Sequence, residues 1–123
     1  MSVDFTNLDL DLTLLQEIAD GSDEFIAESI NMFLEQTPIS LQDVSNAIEA
    51  RDWLTAASAA HKLKATLGFF GMLNSQSLIQ QIELNCKSGS PDEFDVISKF
   101  NQVQMLIAAS TNALIQLKND IEG

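Results

Sequence analysis

The sequence predicts an all-α protein: an antiparallel four-helix bundle with a short additional N-terminal helix. Apolar residues recur at three- and four-residue intervals through most of the 123 positions, the pattern of amphipathic helices. The strict alternation of a half-buried strand is almost absent. Short connections separate the long periodic stretches, which makes antiparallel packing of neighbours the economical arrangement.

The first, short helix is expected from about Asp11 to Ala19, with Leu12, Leu15 and Ile18 on one face and Asp20-Gly21-Ser22 ending it. Ser22 then reads as the N-cap of a second helix, since Asp23 and Glu24 suit the positive end of a helix dipole. Phe25, Ile26, Ile30, Phe33 and Leu34 form its apolar stripe. Leu41, Val44 and Ile48 continue the stripe to about Ala50, with a kink or brief break expected near Thr37 because Pro38 lacks an amide hydrogen.

Asp52 can cap a third helix that starts at Trp53 and runs to about Leu67, with Gly68 and Gly71 bracketing its end. A fourth helix is expected from Leu73 to Lys87, burying Leu78, Ile82 and Ile79. Ser88-Gly89-Ser90-Pro91 is the plainest loop in the chain. Ser90 as N-cap and Pro91 at the first helical position open the last helix, whose stripe is Phe94, Ile97, Val103, Leu106, Ile107, Leu114 and Leu117. No repeat or linker interrupts the pattern, so residues 1–123 read as one domain.

Charge narrows the function. Six basic residues against 18 acidic ones give a net charge of -12, and the acids before position 50 face no Lys or Arg at all. Such a field repels phosphate backbones and anionic lipid, so nucleic acid and membrane surfaces are disfavoured partners. No apolar run is long enough for a membrane span, and Met1-Ser2-Val3-Asp4-Phe5 lacks the basic-then-apolar layout of a signal peptide. The single cysteine, Cys86, allows no internal disulfide or Cys/His metal cluster and reads as a small buried filler. These features predict a cytoplasmic protein whose partner is a protein or a cation; the chain is further expected to be monomeric and to need no metal or other cofactor.

His61 is the one histidine of the chain and lies in Ala60-His61-Lys62-Leu63-Lys64-Ala65. At 100° per residue, Leu54, Ala57, Ser58, Lys64, Ala65 and Gly68 fall within about 60° of it, while Ala56, Ala59, Leu63, Leu67 and Phe70 lie on the other side. The second set is the core stripe, so His61 looks outward among small residues. Lys64, one turn on, can reach an anion carried by the imidazole, with Lys62 and Arg51 as weaker contributors to a basic spot.

His61-Lys62-Leu63-Lys64-Ala65-Thr66, then Gly71, then Leu78-Ile79-Gln80-Gln81-Ile82-Glu83 resembles the signature of histidine-containing phosphotransfer (HPt) domains. The match runs from Ala60 to Glu83. In that family a phosphorylatable His is followed by Leu, Lys and a small residue, and by a Gly ten positions on. Ala65 stands here for the usual Gly, Leu67 for a common Ser, Met72 for a typical Ala and Ser75 for a frequent Leu. The resemblance implies a four-helix bundle with accessory helices and makes His61 the phosphoacceptor.

It also implies the chemistry. A receiver domain of a response regulator or hybrid histidine kinase would carry a phosphoaspartate, the His61 imidazole would take the phosphoryl group, and a second receiver would collect it. The receiver can supply the metal. This chain must supply an oriented nucleophile and nearby positive charge, for which Lys64 matters more than Lys62. Glu83 and Gln80 on the next helix are candidates to hold the second ring nitrogen. Leu54, Ala57, Ala65 and Gly68 form the expected docking surface; Phe69 and Phe70 read as turn-anchoring core residues.

No Gly-rich phosphate loop or kinase motif set is present, so the expected role is that of a phosphocarrier without autonomous kinase activity. The competing reading is a non-catalytic helical adaptor that binds receivers or kinases while His61 stays incidental. Metal capture by the acidic helices is weaker, since the carboxylates form neither an EF-hand loop nor an inward Glu-x-x-His set.

Overall fold

The computed structural model describes residues 8–123, and Met1–Phe5, on which the signal-peptide expectation rests, lie outside that span. Five helices make up the described chain: α1 (Thr13–Ala19), α2 (Asp23–Glu49), α3 (Trp53–Phe69), α4 (Leu73–Lys87) and α5 (Glu93–Glu122). Helix α3 packs between α2 and α4, and α5 closes the ring by packing on both α4 and α2. The short α1 leans on α2. The expected bundle with its small extra helix is therefore the architecture found.

The helix starts follow from capping chemistry. Ser22 Oγ accepts from the Phe25 amide at 3.1 Å, and Asp52 accepts from the Thr55 amide at 3.3 Å and its hydroxyl at 2.7 Å. The last helix opens differently from expectation. Asp92, not Ser90, is its N-cap, accepting from the Asp95 amide at 3.2 Å, and Pro91 precedes the helix.

Helix α2 runs unbroken through Pro38, so of the kink or break expected near Thr37 the break does not occur. One missing backbone hydrogen bond is tolerated in a helix of 27 residues whose apolar side is anchored by Ile30, Phe33, Val44 and Ile48. Thr37, just before the proline, is buried, and its hydroxyl finds no protein partner.

The core takes Leu12 and Leu15 from the N-terminal side, Ile30, Phe33 and Val44 from α2, Ala56, Ala60, Leu63 and Leu67 from α3, Ile79 and Ile82 from α4, and Val96, Val103, Ile107 and Leu114 from α5. Cys86 is fully buried among them. Several expected stripe residues sit at its margin: Leu78 is half-buried, Ile18 and Ile97 are exposed, and Phe94 is 83% exposed. Trp53 packs partly buried against the core at the start of α3.

The turn between α3 and α4 fixes the site's second helix. Gly71 has φ +65°, and a Cβ there would run into the Asp11 backbone carbonyl, so the chain before α1 crosses in contact with this turn. The Asp11 amide donates to the Phe70 carbonyl at 3.3 Å. Asp9 lies beside it, buried. Its carboxylate accepts from the Asn74 amide at 2.8 Å, the Ser75 amide at 2.7 Å and the Ser75 hydroxyl at 2.6 Å. These are orphan donors of the first turn of α4, whose own N-cap residue, Met72, offers no side-chain acceptor. Met72 and Ser75 are thereby accounted for, one filling the core and one completing the Asp9 clasp.

Candidate functional site

His61 projects outward from the middle of α3, its side chain 65% exposed. The helix turns Ala56, Ala60, Leu63 and Leu67 inward, and their burial sets the rotation that leaves position 61 outside. Opposite it on α4 stands Glu83, whose side chain is 3% exposed. His61 Nδ1 lies 2.9 Å from Glu83 Oε2. The Lys64 ammonium donates to Glu83 Oε1 at 2.8 Å, and the Lys87 ammonium lies 3.1 Å from Oε2.

Glu83 thus collects three donors on two oxygens. Burial pushes its carboxyl pKa up, but hydrogen bonds from Lys64, Lys87 and His61, joined by the Lys64 charge, outweigh burial and hold it at about 2 instead of 4.5. The carboxylate is ionised at neutral pH and can only accept. The ring nitrogen facing it must therefore carry the hydrogen, and in a neutral imidazole the lone pair is left on Nε2 at the ring's far edge.

The other expected residues divide. Glu83 and Lys64 are brought to His61. Gln80 is exposed and makes no hydrogen bond to the ring, because the face of α4 that meets α3 carries Glu83 and, two turns earlier, Gln76 instead. Gln76 donates to the Lys64 carbonyl at 3.2 Å and lies where a Cβ on Gly68 would fall, so Gly68 is half-buried beneath it. Lys62 is exposed beside a different hollow that also takes in Asp43, Asp52 and Leu54. Arg51 turns to the start of α5 and pairs with Glu93 at 2.7 Å.

Of the expected docking residues, Leu54 and Ala65 are exposed, whereas Ala57 is buried, at the floor of a depression it shares with His61, Glu83 and Lys87. Beyond Ala65 an apolar groove of about 480 Å³ separates α2 from α3, walled by Phe25, Met32, Phe33 and Phe69. Phe70 is buried as expected and meets Phe33 at 4.9 Å between ring centroids, while Phe69 is half-buried along the groove. Sequence reasoning missed Lys87 and the groove. An i, i+4 Glu-Lys pair was readable at Glu83 and Lys87, and Phe25 with Met32 at seven-residue spacing marks one edge of α2.

No group of three or more His, Cys, Asp or Glu among the described residues could hold a metal ion, and no helix among them is long and apolar enough to cross a membrane.

The family model for the Hpt domain matches residues 28–121. The chain belongs to the Hpt domain family, whose members carry phosphotransfer in two-component systems. Among solved structures it is similar to the HPT domain from the Hpt sensor hybrid histidine kinase from Shewanella, with 21% sequence identity, a TM-score of 0.62, and coverage of 93% of this chain and 91% of that one. That likeness is one of fold. No curated protein matches the chain.

Proposed function

We propose that His61 is the phosphoacceptor of a phosphorelay intermediate, loaded by the phosphoaspartate of one receiver domain and unloaded by the aspartate of another. The observation that carries this reading is the His61–Glu83 pair: an exposed imidazole whose inner nitrogen is bound to an ionised, buried carboxylate and whose outer nitrogen is free to attack. In the forward step the Nε2–P bond forms as the aspartyl O–P bond breaks, and the receiver's carboxylate leaves with the electron pair. The hydrogen stays on Nδ1, so the ring becomes cationic against Glu83, which stabilises it. The reverse step returns the lone pair to Nε2.

Lys64 adds fixed positive charge one turn from the ring, and its loss slows transfer more than loss of Lys62, which faces another hollow. Leu54, Ala65 and the groove behind Ala65 form the docking surface, with Gly68 at its edge beneath Gln76. The protein is taken to be a monomeric cytoplasmic phosphocarrier of one domain, without kinase activity of its own.

Incubation with a phosphorylated receiver should place an acid-labile, alkali-stable label on the wild type, and His61→Gln should abolish it while leaving the helical circular dichroism unchanged. A His61→Gln protein that still takes the label would refute this assignment. One that neither labels nor differs from the wild type in receiver binding and signalling output would establish the adaptor reading instead.

A further inference from the structure

Lys87 enters the site from the side opposite Lys64. Its ammonium shares Glu83 Oε2 with His61 Nδ1, whereas Lys64 takes Oε1 alone. Lys64 follows His61 on α3 and its side chain is 26% exposed; Lys87 stands on α4 and its side chain is 58% exposed. Lys87 also walls a shallow depression of about 330 Å³ with Leu54, Ala57, Ser58, His61 and Glu83, a hollow that Lys64 does not line. Two lysines therefore flank the ring, one tightly held and one loosely held.

We propose that Lys87 is a second phosphoryl-binding residue, which exchanges Glu83 for the phosphoryl oxygens when His61 is phosphorylated. This rests on the phosphocarrier reading above and assigns a further residue to the same site. Before transfer, two ammonium groups and a neutral ring face one carboxylate, a local excess of one positive charge. Transfer adds a phosphoryl group carrying about two negative charges and leaves the ring cationic, with Nδ1–H still on Oε2.

The cationic ring then binds Oε2 more strongly than the neutral ring did, and Lys87 is its competitor for that oxygen. An exposed lysine pair of this kind holds weakly, and the four-carbon stem lets the ammonium move. The phosphoryl group offers it new acceptors. Lys64, less exposed and alone on Oε1, stays behind to keep the carboxylate in place.

The test uses phosphoramidate, a small phosphoryl donor that needs no docking surface, on the full chain. Wild type, Lys87→Met, Lys87→Arg and Lys99→Met, the last a lysine paired with Asp95 on α5, are compared by phosphohistidine lifetime and ³¹P resonance. Lys87→Met should shorten the lifetime by about threefold to tenfold, the worth of one screened charge-assisted contact, and displace the ³¹P resonance. Lys87→Arg should restore most of the lifetime, and Lys99→Met should match the wild type. Should Lys87→Met keep the wild-type lifetime and resonance, or Lys87→Arg behave as Lys87→Met, the proposed contact does not exist, while the phosphocarrier reading stands. If the wild type takes no label on His61, both fall together.

Discussion

At the residue scale the site turns on Glu83, a carboxylate that would be costly to bury alone and is held charged by three donors. Its pKa is lowered in the folded state, so the stability it contributes is present above the unfolded value of 4.5 and is lost as pH falls from there towards about 2. The difference is worth at most about 3 kcal/mol. Urea melts of the wild type should show a loss of stability over that interval, and Glu83→Gln should flatten it, because the amide does not titrate. Glu83→Gln should also be less stable than the wild type at pH 7, since two lysines then lose their anion. Equal acid sensitivity in the two proteins would contradict the role given to this carboxylate. Glu83 was legible because it closes the stretch that resembles the Hpt signature; position on the next helix alone left Gln80 open beside it. Lys87 was less so, because a lysine on an exposed helix face carries no mark of the group it meets. Gln80 misled for a related reason: whether position 80 or position 83 meets His61 depends on how α4 is rotated, which Ile79 and Ile82 set through the core.

At the scale of elements, His61 and Glu83 keep their registration because α4 is tied at its start as well as along its packed face. The tie is Asp9, which supplies from more than sixty residues away the cap that Met72 lacks. Asp9→Ala removes the acceptor for two amides and a hydroxyl in a buried setting and should cost about 2–3 kcal/mol in urea unfolding. Asp9→Asn, which retains one carbonyl oxygen, should recover part of it. A change below about 0.5 kcal/mol for Asp9→Ala would mean that water satisfies these donors instead. No sequence pattern announced this contact, since a cap is readable only when it is local. Local caps were indeed legible: Ser22 and Asp52 begin their helices as expected, and α4 runs from Leu73 to Lys87 as read. Asp92 displaced Ser90 because both offer a suitable oxygen within two residues, and only the path of the loop decides between them. Phe94 is exposed for a separate reason: the buried Val96, Phe100 and Val103 set the rotation of α5, and Phe94 falls on the side turned away from them.

At the scale of the whole molecule the charges are sorted by segment. The eleven acids before position 50 have no cation among them, while Arg51 and all five lysines lie beyond it, three of the lysines on α3 and α4 and two of these, Lys64 and Lys87, at the carboxylate that faces His61. An acidic body with a basic spot at the imidazole repels anions generally and admits them at one place. This much was legible from composition and helix order, because the sign of a segment does not depend on side-chain geometry. A net charge of -12 also strains the folded chain, since compaction brings the acids of α1 and α2 nearer to one another than they are when unfolded. Salt screens such surface repulsion over about 10 Å at 0.1 M, but acts far less on the Glu83–Lys64 pair, whose carboxylate is buried and whose lysine is mostly covered. Raising sodium chloride from about 0.02 to about 0.5 M at pH 7 should therefore stabilise the wild type by about 1 kcal/mol in urea titrations. The difference between wild type and Glu83→Gln should stay nearly constant across the same range. A wild type destabilised by salt would mean that its exposed ion pairs, Arg51–Glu93 and Lys99–Asp95 among them, outweigh the repulsion of the acidic half.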